Sequence, residues 1–215
     1  VKILKKPQAV KAALIGFPTI EDGGKCVSEV IASGIIPAGM EMMDKALIHA
    51  TDNFVKAGYP RNAESMLIVE LDGTETEVEE LIEKVRKIAE KNKSSSIKIS
   101  KNERQRLKFW AGRKAAFPAC GDMAPDYYCM DGTIPRRKLA EVLKEIGRLS
   151  KKYNLPVANA FHAGDGNLHP LIMYDANEKN SLERTEKFGA DILKYCVKVG
   201  GVLTGEHGVG VEKRE

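Results

Sequence analysis

What the sequence lacks narrows its reading first. It has no run of 18 apolar residues of the kind that spans a bilayer, and no CxxC pair among Cys26, Cys120, Cys129 and Cys196. Thiols scattered in this way indicate neither a disulfide framework nor a thiolate zinc site, and a reducing cytoplasm is the expected location. No basic stripe with interleaved aromatics occurs, although the net charge is +4. Lysines and arginines instead alternate with glutamates over residues 79–90 and 138–152, as on solvated helix faces, so no nucleic-acid partner is expected. Histidine is scarce too, with four in 215 residues. That length suffices for one large domain or two small ones with a real core. The sequence opens at Val1 without an initiator Met or a charged-then-apolar leader and stops at Glu215. A piece of a longer protein is expected, because its most distinctive residues lie so near its end.

Three of the four histidines fall in two glycine-flanked stretches, His162-Ala-Gly-Asp-Gly-Asn-Leu-His169 and Gly205-Glu206-His207-Gly208. The first reads as a β-hairpin. Residues 157–161 and 171–174 are apolar and β-prone, and Gly164-Asp165-Gly166-Asn167 is turn chemistry. A turn centred between Asp165 and Gly166 would set His162 directly opposite His169. Opposed Cβ atoms lie about 4.5–5.5 Å apart, close enough for two imidazoles to share a divalent metal at roughly 2.0–2.1 Å per nitrogen. Glu206 is the candidate third, anionic ligand, which leaves His207 free for proton transfer. The plainer alternative is that the glycines only make turns and each histidine is structural or solvated. Their clustering favours a metal site.

Along the chain, strands are expected near residues 12–15 (buried), 35–43 (broken by Pro37 and Gly39), 66–71 (fully apolar), 96–100 (half-exposed), 126–131, 157–161, 171–174 and 202–203. Helices follow Thr19, Asp44 and Thr74, each a capping side chain, with Thr74-Glu-Thr-Glu77 a capping box. Further helices are expected over 102–117, from Pro135, and over about 181–199. Residues 1–6 read as a strand-like lead. Each half therefore reads β-α-β-β-α-β, the first with one extra helix after Asp44. The expected class is α+β: a duplicated ferredoxin-like fold of two split βαβ units, antiparallel with helices on one face. The two sheets would meet edge to edge or face to face. The expected organisation is 1–8 as the end of a preceding flavin domain or linker, 9–203 as the duplicated domain, and 204–215 as a return segment. The halves would be 9–101 and 102–203, joined by the helix over 102–117.

Longer stretches carry a family resemblance. Phe109-Trp-Ala-Gly-Arg-Lys-Ala-Ala-Phe-Pro-Ala119, Asp126-Tyr-Tyr-Cys-Met-Asp-Gly-Thr-Ile-Pro-Arg136, Phe161-His-Ala-Gly-Asp-Gly-Asn-Leu-His-Pro170 and Gly205-Glu-His-Gly-Val-Gly210 resemble the substrate-side, C-terminal half of FAD-linked 2-hydroxyacid oxidoreductases. These are of the vanillyl-alcohol oxidase type and include the flavin-bearing subunit of glycolate oxidase, D-lactate dehydrogenase and D-2-hydroxyglutarate dehydrogenase. The resemblance covers essentially the whole sequence. It implies His162, His169 and Glu206 as ligands of a divalent metal (Zn, Mn or Fe), His207 as the catalytic base, Arg113 on the substrate carboxylate and Asn167 near the substrate. Hydride would pass from Cα to flavin N5. The chemistry suits these residue types: an arginine fork matches a carboxylate, and a metal lowers the pKa of an α-hydroxyl that a neutral imidazole then deprotonates.

The resemblance also implies FAD as cofactor, held mainly by a domain absent from this sequence, so the piece alone is expected to be inactive. Phe117 and Cys129 stand where the hydroxyglutarate enzyme places polar groups for a second carboxylate, which favours a small 2-hydroxy monocarboxylate such as glycolate or D-lactate. Iron–sulfur electron-transfer subunits are implied as partners, and with them a peripheral place at the inner membrane. By residue type alone, Arg113 could equally be solvated, Trp110 and Phe117 read as core, and Lys114 as surface. Tyr127 and Tyr128 alternate faces, so at most one of them lines a pocket. The competing readings are a non-catalytic ferredoxin-like metal- or ligand-binding module, which needs neither Arg113 nor His207, and a purely structural α+β pair with incidental histidines.

Overall fold

Single side chains set three of the helix starts. In the computed structural model, which describes residues 6–214, the Thr19 side chain accepts the Asp22 N–H at 3.0 Å to open α1 (Ile20–Ala32). Asp44 accepts from Leu47 at 3.0 Å to open α2 (Lys45–Val55). Thr74 and Glu77 form the reciprocal capping box of α3 (Glu75–Lys91). The strand-like lead expected over residues 1–6 lies, but for Lys6, outside the described residues.

The strands of the first half are β1 (Ala9–Phe17), β2 (Gly39–Asp44), β3 (Ser65–Gly73) and β4 (Ser96–Ile99). A link of α4 (Glu103–Lys114) and the short α5 (Ala116–Ala119) leads to β5 (Asp126–Cys129), β6 (Gly132–Thr133), α6 (Leu139–Tyr153), β7 (Val157–His162), β8 (Asn167–Tyr174) and α7 (Ser181–Lys198). All pair antiparallel in one sheet of order β4-β1-β3-β2-β7-β8-β5, with β6 also on β8. The halves meet edge to edge where β2 pairs with β7, Glu41 opposite His162 and Met43 opposite Ala160. The second of the expected arrangements, face to face, does not occur.

Several boundaries differ from expectation for local reasons. The strand expected over 35–43 begins only at Gly39, because Pro37 has no N–H to give a ladder. The strand over 126–131 splits into β5 and β6 around Met130 and Asp131. The helix over 102–117 breaks at Ala115 into α4 and α5. The helix expected from Pro135 begins as a 3-10 turn, Arg136–Lys138. The last strand is reduced to one bridge, Val202 to Thr133.

Side-chain alternation sorts the strands onto two faces. Ile15, Phe17, Met40, Met42, Leu67, Phe161, Leu168 and Ile172 pack under α1, α3, α6 and α7 through Val27, Val30, Ile82, Val85, Val142, Ile146, Phe188 and Ile192. This is the expected helical layer. The opposite face carries Leu14, Met43, Ile68, Ala160, Leu171 and Met173, against Leu47 and Ile48 of α2, Phe109 of α4 and Ala116 of α5. By the same alternation Glu41, His162 and His169 stand on this second face, at the seam between the halves. Among the described residues no helix is long and apolar enough to cross a membrane.

Candidate metal centre

The hairpin between β7 and β8 is closed by residues 163–166. The N–H groups of Asp165 and Gly166 both donate to the His162 carbonyl at 3.0 Å, and Gly166 sits at φ +76. The register corrects the expected pairing. His162 lies opposite Asn167, and His169 lies opposite Ala160, so the loop is centred between Gly164 and Asp165. Neighbours outside the hairpin hold it there: the Gly164 N–H donates to the Met40 carbonyl at 3.1 Å, and Arg136 Nη1 donates to the Gly164 carbonyl at 2.9 Å. The histidines are thus diagonal rather than opposed, yet they share a face and remain within side-chain reach. Their rings lie 5.1 Å apart, edge to face.

Glu206 comes over them from the segment after α7. Its Oε1 is 3.3 Å from His162 Nε2 and its Oε2 is 3.9 Å from His169 Nε2. One ligand atom from each of His162, His169 and Glu206 lies within 4.8 Å of the others. A tetrahedral ion with bonds of about 2.0–2.1 Å holds its ligands roughly 3.3 Å apart, so small side-chain adjustments would close this set. Asn167 Nδ2 donates to Glu206 Oε1 at 2.9 Å. The His207 ring stacks on His169 at 5.2 Å between centroids, while the residue itself is exposed.

Asp131 anchors that segment. It is wholly buried and accepts the Thr204 hydroxyl at 2.5 Å, the N–H groups of Gly205 and Glu206 at 3.0 Å, and that of His207 at 2.8 Å. Burial alone would push its carboxyl up, but the bonds from Thr204, His207, Glu206 and Gly205 outweigh it and hold the group well below the usual carboxylate range.

Arg113, on the last turn of α4, is only 9 % exposed. Its Nε donates to Glu41 Oε2 at 2.8 Å and its backbone N–H donates to the Tyr59 hydroxyl at 3.0 Å. Among the described residues neither Nη group makes a hydrogen bond to the protein. Glu41 Oε1 lies 2.7 Å from His162 Nδ1. A carboxylate oxygen there accepts a hydrogen bond from Nδ1–H, and in that neutral tautomer Nε2 carries the lone pair on the side of Glu206. That hydrogen bond to Glu41 raises the His162 pKa, so a metal at Nε2 would have to displace a more tightly held proton there. Burial, and then the neighbouring His162, lower that of His169, which favours the neutral form a ligand needs. With two imidazoles and one carboxylate converging, the donor set fits a borderline divalent ion.

All six candidate residues therefore gather on one face. Trp110 is half-buried with its Nε1 on Glu70 at 2.5 Å. Phe117 and Cys129 pack partly buried against the second-face core, and Lys114 is exposed. Of the tyrosine pair, Tyr127 is the more exposed. Glu41 and Asp131 were not singled out from the sequence. A signal existed for Glu41, a lone carboxylate in the apolar run Met40-Glu41-Met42-Met43.

Residues 6–215 match the family described as FAD linked oxidases, C-terminal domain. The chain belongs to this family. It is 53 % identical over 213 residues to the glycolate oxidase subunit GlcD of Escherichia coli, covering 99 % of this chain and 43 % of that protein. It is 29 % identical over 214 residues to the mitochondrial D-lactate dehydrogenase [cytochrome] of Arabidopsis thaliana, covering 99 % of this chain and 37 % of that one. The chain thus spans less than half the length of these relatives. The fold is similar to that of 4-ethylphenol oxidase from Gulosibacter chungangensis, with a TM-score of 0.69 and 13 % identity over 94 % of this chain and 46 % of that one.

Proposed function

We propose that this chain is the substrate- and metal-binding part of an FAD-dependent 2-hydroxyacid oxidoreductase acting on a small monocarboxylate, glycolate or D-lactate. The observation that carries the reading is the gathering of His162, His169 and Glu206 beside a buried arginine with free Nη groups and beside the exposed ring of His207. His162, His169 and Glu206 would hold a zinc, manganese or iron ion, and Arg113 would bind the substrate carboxylate through its Nη pair. Asn167, bonded to Glu206, orients that ligand and borders the substrate. His207, in its neutral form, would take the α-hydroxyl proton. When bound, the metal supplies Lewis acidity at the hydroxyl and the flavin supplies the hydride acceptor. Phe117 and Cys129 offer no cation to a second carboxylate, which supports a monocarboxylate.

The same reading takes residues 9–101 and 102–203 as two ferredoxin-like split βαβ units, preceded by a linker and followed by 204–215 as the segment that delivers Glu206 and His207. The strand order within the first half, β4-β1-β3-β2, supports it. The relatedness to a glycolate oxidase subunit supports assembly with other subunits, and this reading takes them to be iron–sulfur electron-transfer proteins. The test is turnover of glycolate and D-lactate by the full-length, flavin-loaded parent protein, not by this piece alone, with an artificial electron acceptor. His207→Ala and His162→Ala are expected to lose at least about a hundredfold in kcat with flavin retained. Wild-type turnover in both overturns the reading, and so would a glutarate-type dicarboxylate as the preferred substrate.

A further inference from the structure

We propose that Glu41 is a positioning residue that ties the metal ligand His162 to the substrate clamp Arg113, so that the two binding functions depend on one carboxylate. The inference rests on the reading above and extends it to a residue which that reading does not use.

Glu41 stands in the middle of β2, between Met40 and Met42, and is 9 % exposed. A lone carboxylate at such a place is costly unless both oxygens are satisfied. Each oxygen serves a different partner: Oε1 meets His162 Nδ1 at 2.7 Å, and Oε2 meets Arg113 Nε at 2.8 Å. Both partners lie in the second half of the chain while Glu41 lies in the first, His162 directly across the β2–β7 seam and Arg113 from α4 on the same face. The two contacts do different things. The first fixes the His162 tautomer and ring plane so that Nε2 faces Glu206. The second uses Nε and so leaves the Nη pair, the edge of the guanidinium that grips a carboxylate in parallel, for a ligand. A partner on the Nη edge would satisfy Arg113 equally well and block that grip. An ion pair that served packing alone would not need to choose Nε, nor to share its other oxygen with a metal-binding imidazole.

Glutamine at this position keeps the size but has one acceptor oxygen, and its NH2 would face an N–H donor on one side. The test uses the full-length, flavin-loaded parent protein and three readouts: metal affinity by competition with a chromophoric chelator, KM for glycolate, and Tm. Glu41→Gln is expected to weaken metal affinity by about 10- to 100-fold and to raise KM, with flavin content near wild type and a lowered Tm, because the buried Arg113 guanidinium loses its anion. Glu41→Asp, which keeps the charge but cannot span both partners, is expected to spare one of the two readouts more than the other. It also serves as the informative variant if Glu41→Gln does not fold. Wild-type metal affinity and KM in a folded Glu41 variant, beside a His162→Ala protein that has lost its metal, overturn this inference and leave the site reading intact. Equal metal affinity in wild type and His162→Ala overturns both.

Discussion

The buried carboxylate of Asp131 accepts the backbone N–H of His207 at 2.8 Å. Through that bond, and those to Gly205 and Glu206, a residue at the β5–β6 break holds the segment that brings Glu206 and His207 to the two hairpin histidines. Asparagine keeps the shape but offers one neutral acceptor in place of an anion with two. Asp131→Asn is expected to speed amide hydrogen exchange at Glu206 and His207 about tenfold or more, since a charge-assisted bond contributes roughly 1.5–3 kcal/mol. Metal retention should fall with it. Unchanged exchange would show that the segment is held by other contacts.

The hairpin loop supplies a second prediction. Gly166 lies at φ +76, and a Cβ there would run into the Ile134 carbonyl oxygen. Both effects act on the same residue, so Gly166→Ala is expected to cost about 2 kcal/mol or more. For a domain of this size that is a Tm loss of about 4–8 °C. A Tm within 1 °C of wild type would place the strain elsewhere.

These two sites also show what the sequence could and could not reveal. The caps at Thr19, Asp44 and Thr74 were legible because each acts within three residues of itself. The shared face of His162 and His169 was legible from alternation. Their register was not, because the loop is centred by Met40 and Arg136, residues outside the hairpin. Glu41 escaped notice for a similar reason: its meaning depends on the pairing of β2 with β7, between residues 121 positions apart. Asp131 lay within a stretch that read as strand, and only the break there frees its carboxylate to cap a distant backbone. Distant pairings decide what local patterns leave open.

Asp44 gives a pH dependence away from the metal ligands. Burial pushes its carboxyl up to about 6, against the bonds from Leu47 and Asn159 that favour the charged form. A carboxyl raised in the folded state adds stability in full below the unfolded value near 4, and that stability fades as pH rises through about 6. Wild-type stability is therefore expected to fall between pH 4 and pH 7 by up to about 3 kcal/mol from this group. Asp44→Asn, which keeps an acceptable N-cap, should flatten that slope in urea unfolding series. An identical slope in both proteins would refute the assignment.

Arg113→Lys separates charge from fork geometry. A lysine ammonium cannot hold Glu41 with one donor and present a parallel pair to a carboxylate. KM for glycolate is expected to rise about tenfold or more, equivalent to about 1.4 kcal/mol of binding, with a smaller change in kcat. An unchanged KM would remove Arg113 from the substrate.

The central claim, that His162, His169 and Glu206 bind a metal, is tested most directly by elemental analysis. The full-length, flavin-loaded parent protein and its His169→Ala variant would be desalted and assayed for zinc, manganese and iron per flavin. The account predicts close to one equivalent of one of these metals in the wild type and its loss in the variant, with flavin retained. No metal in the wild type, or the same metal content in both, would contradict it.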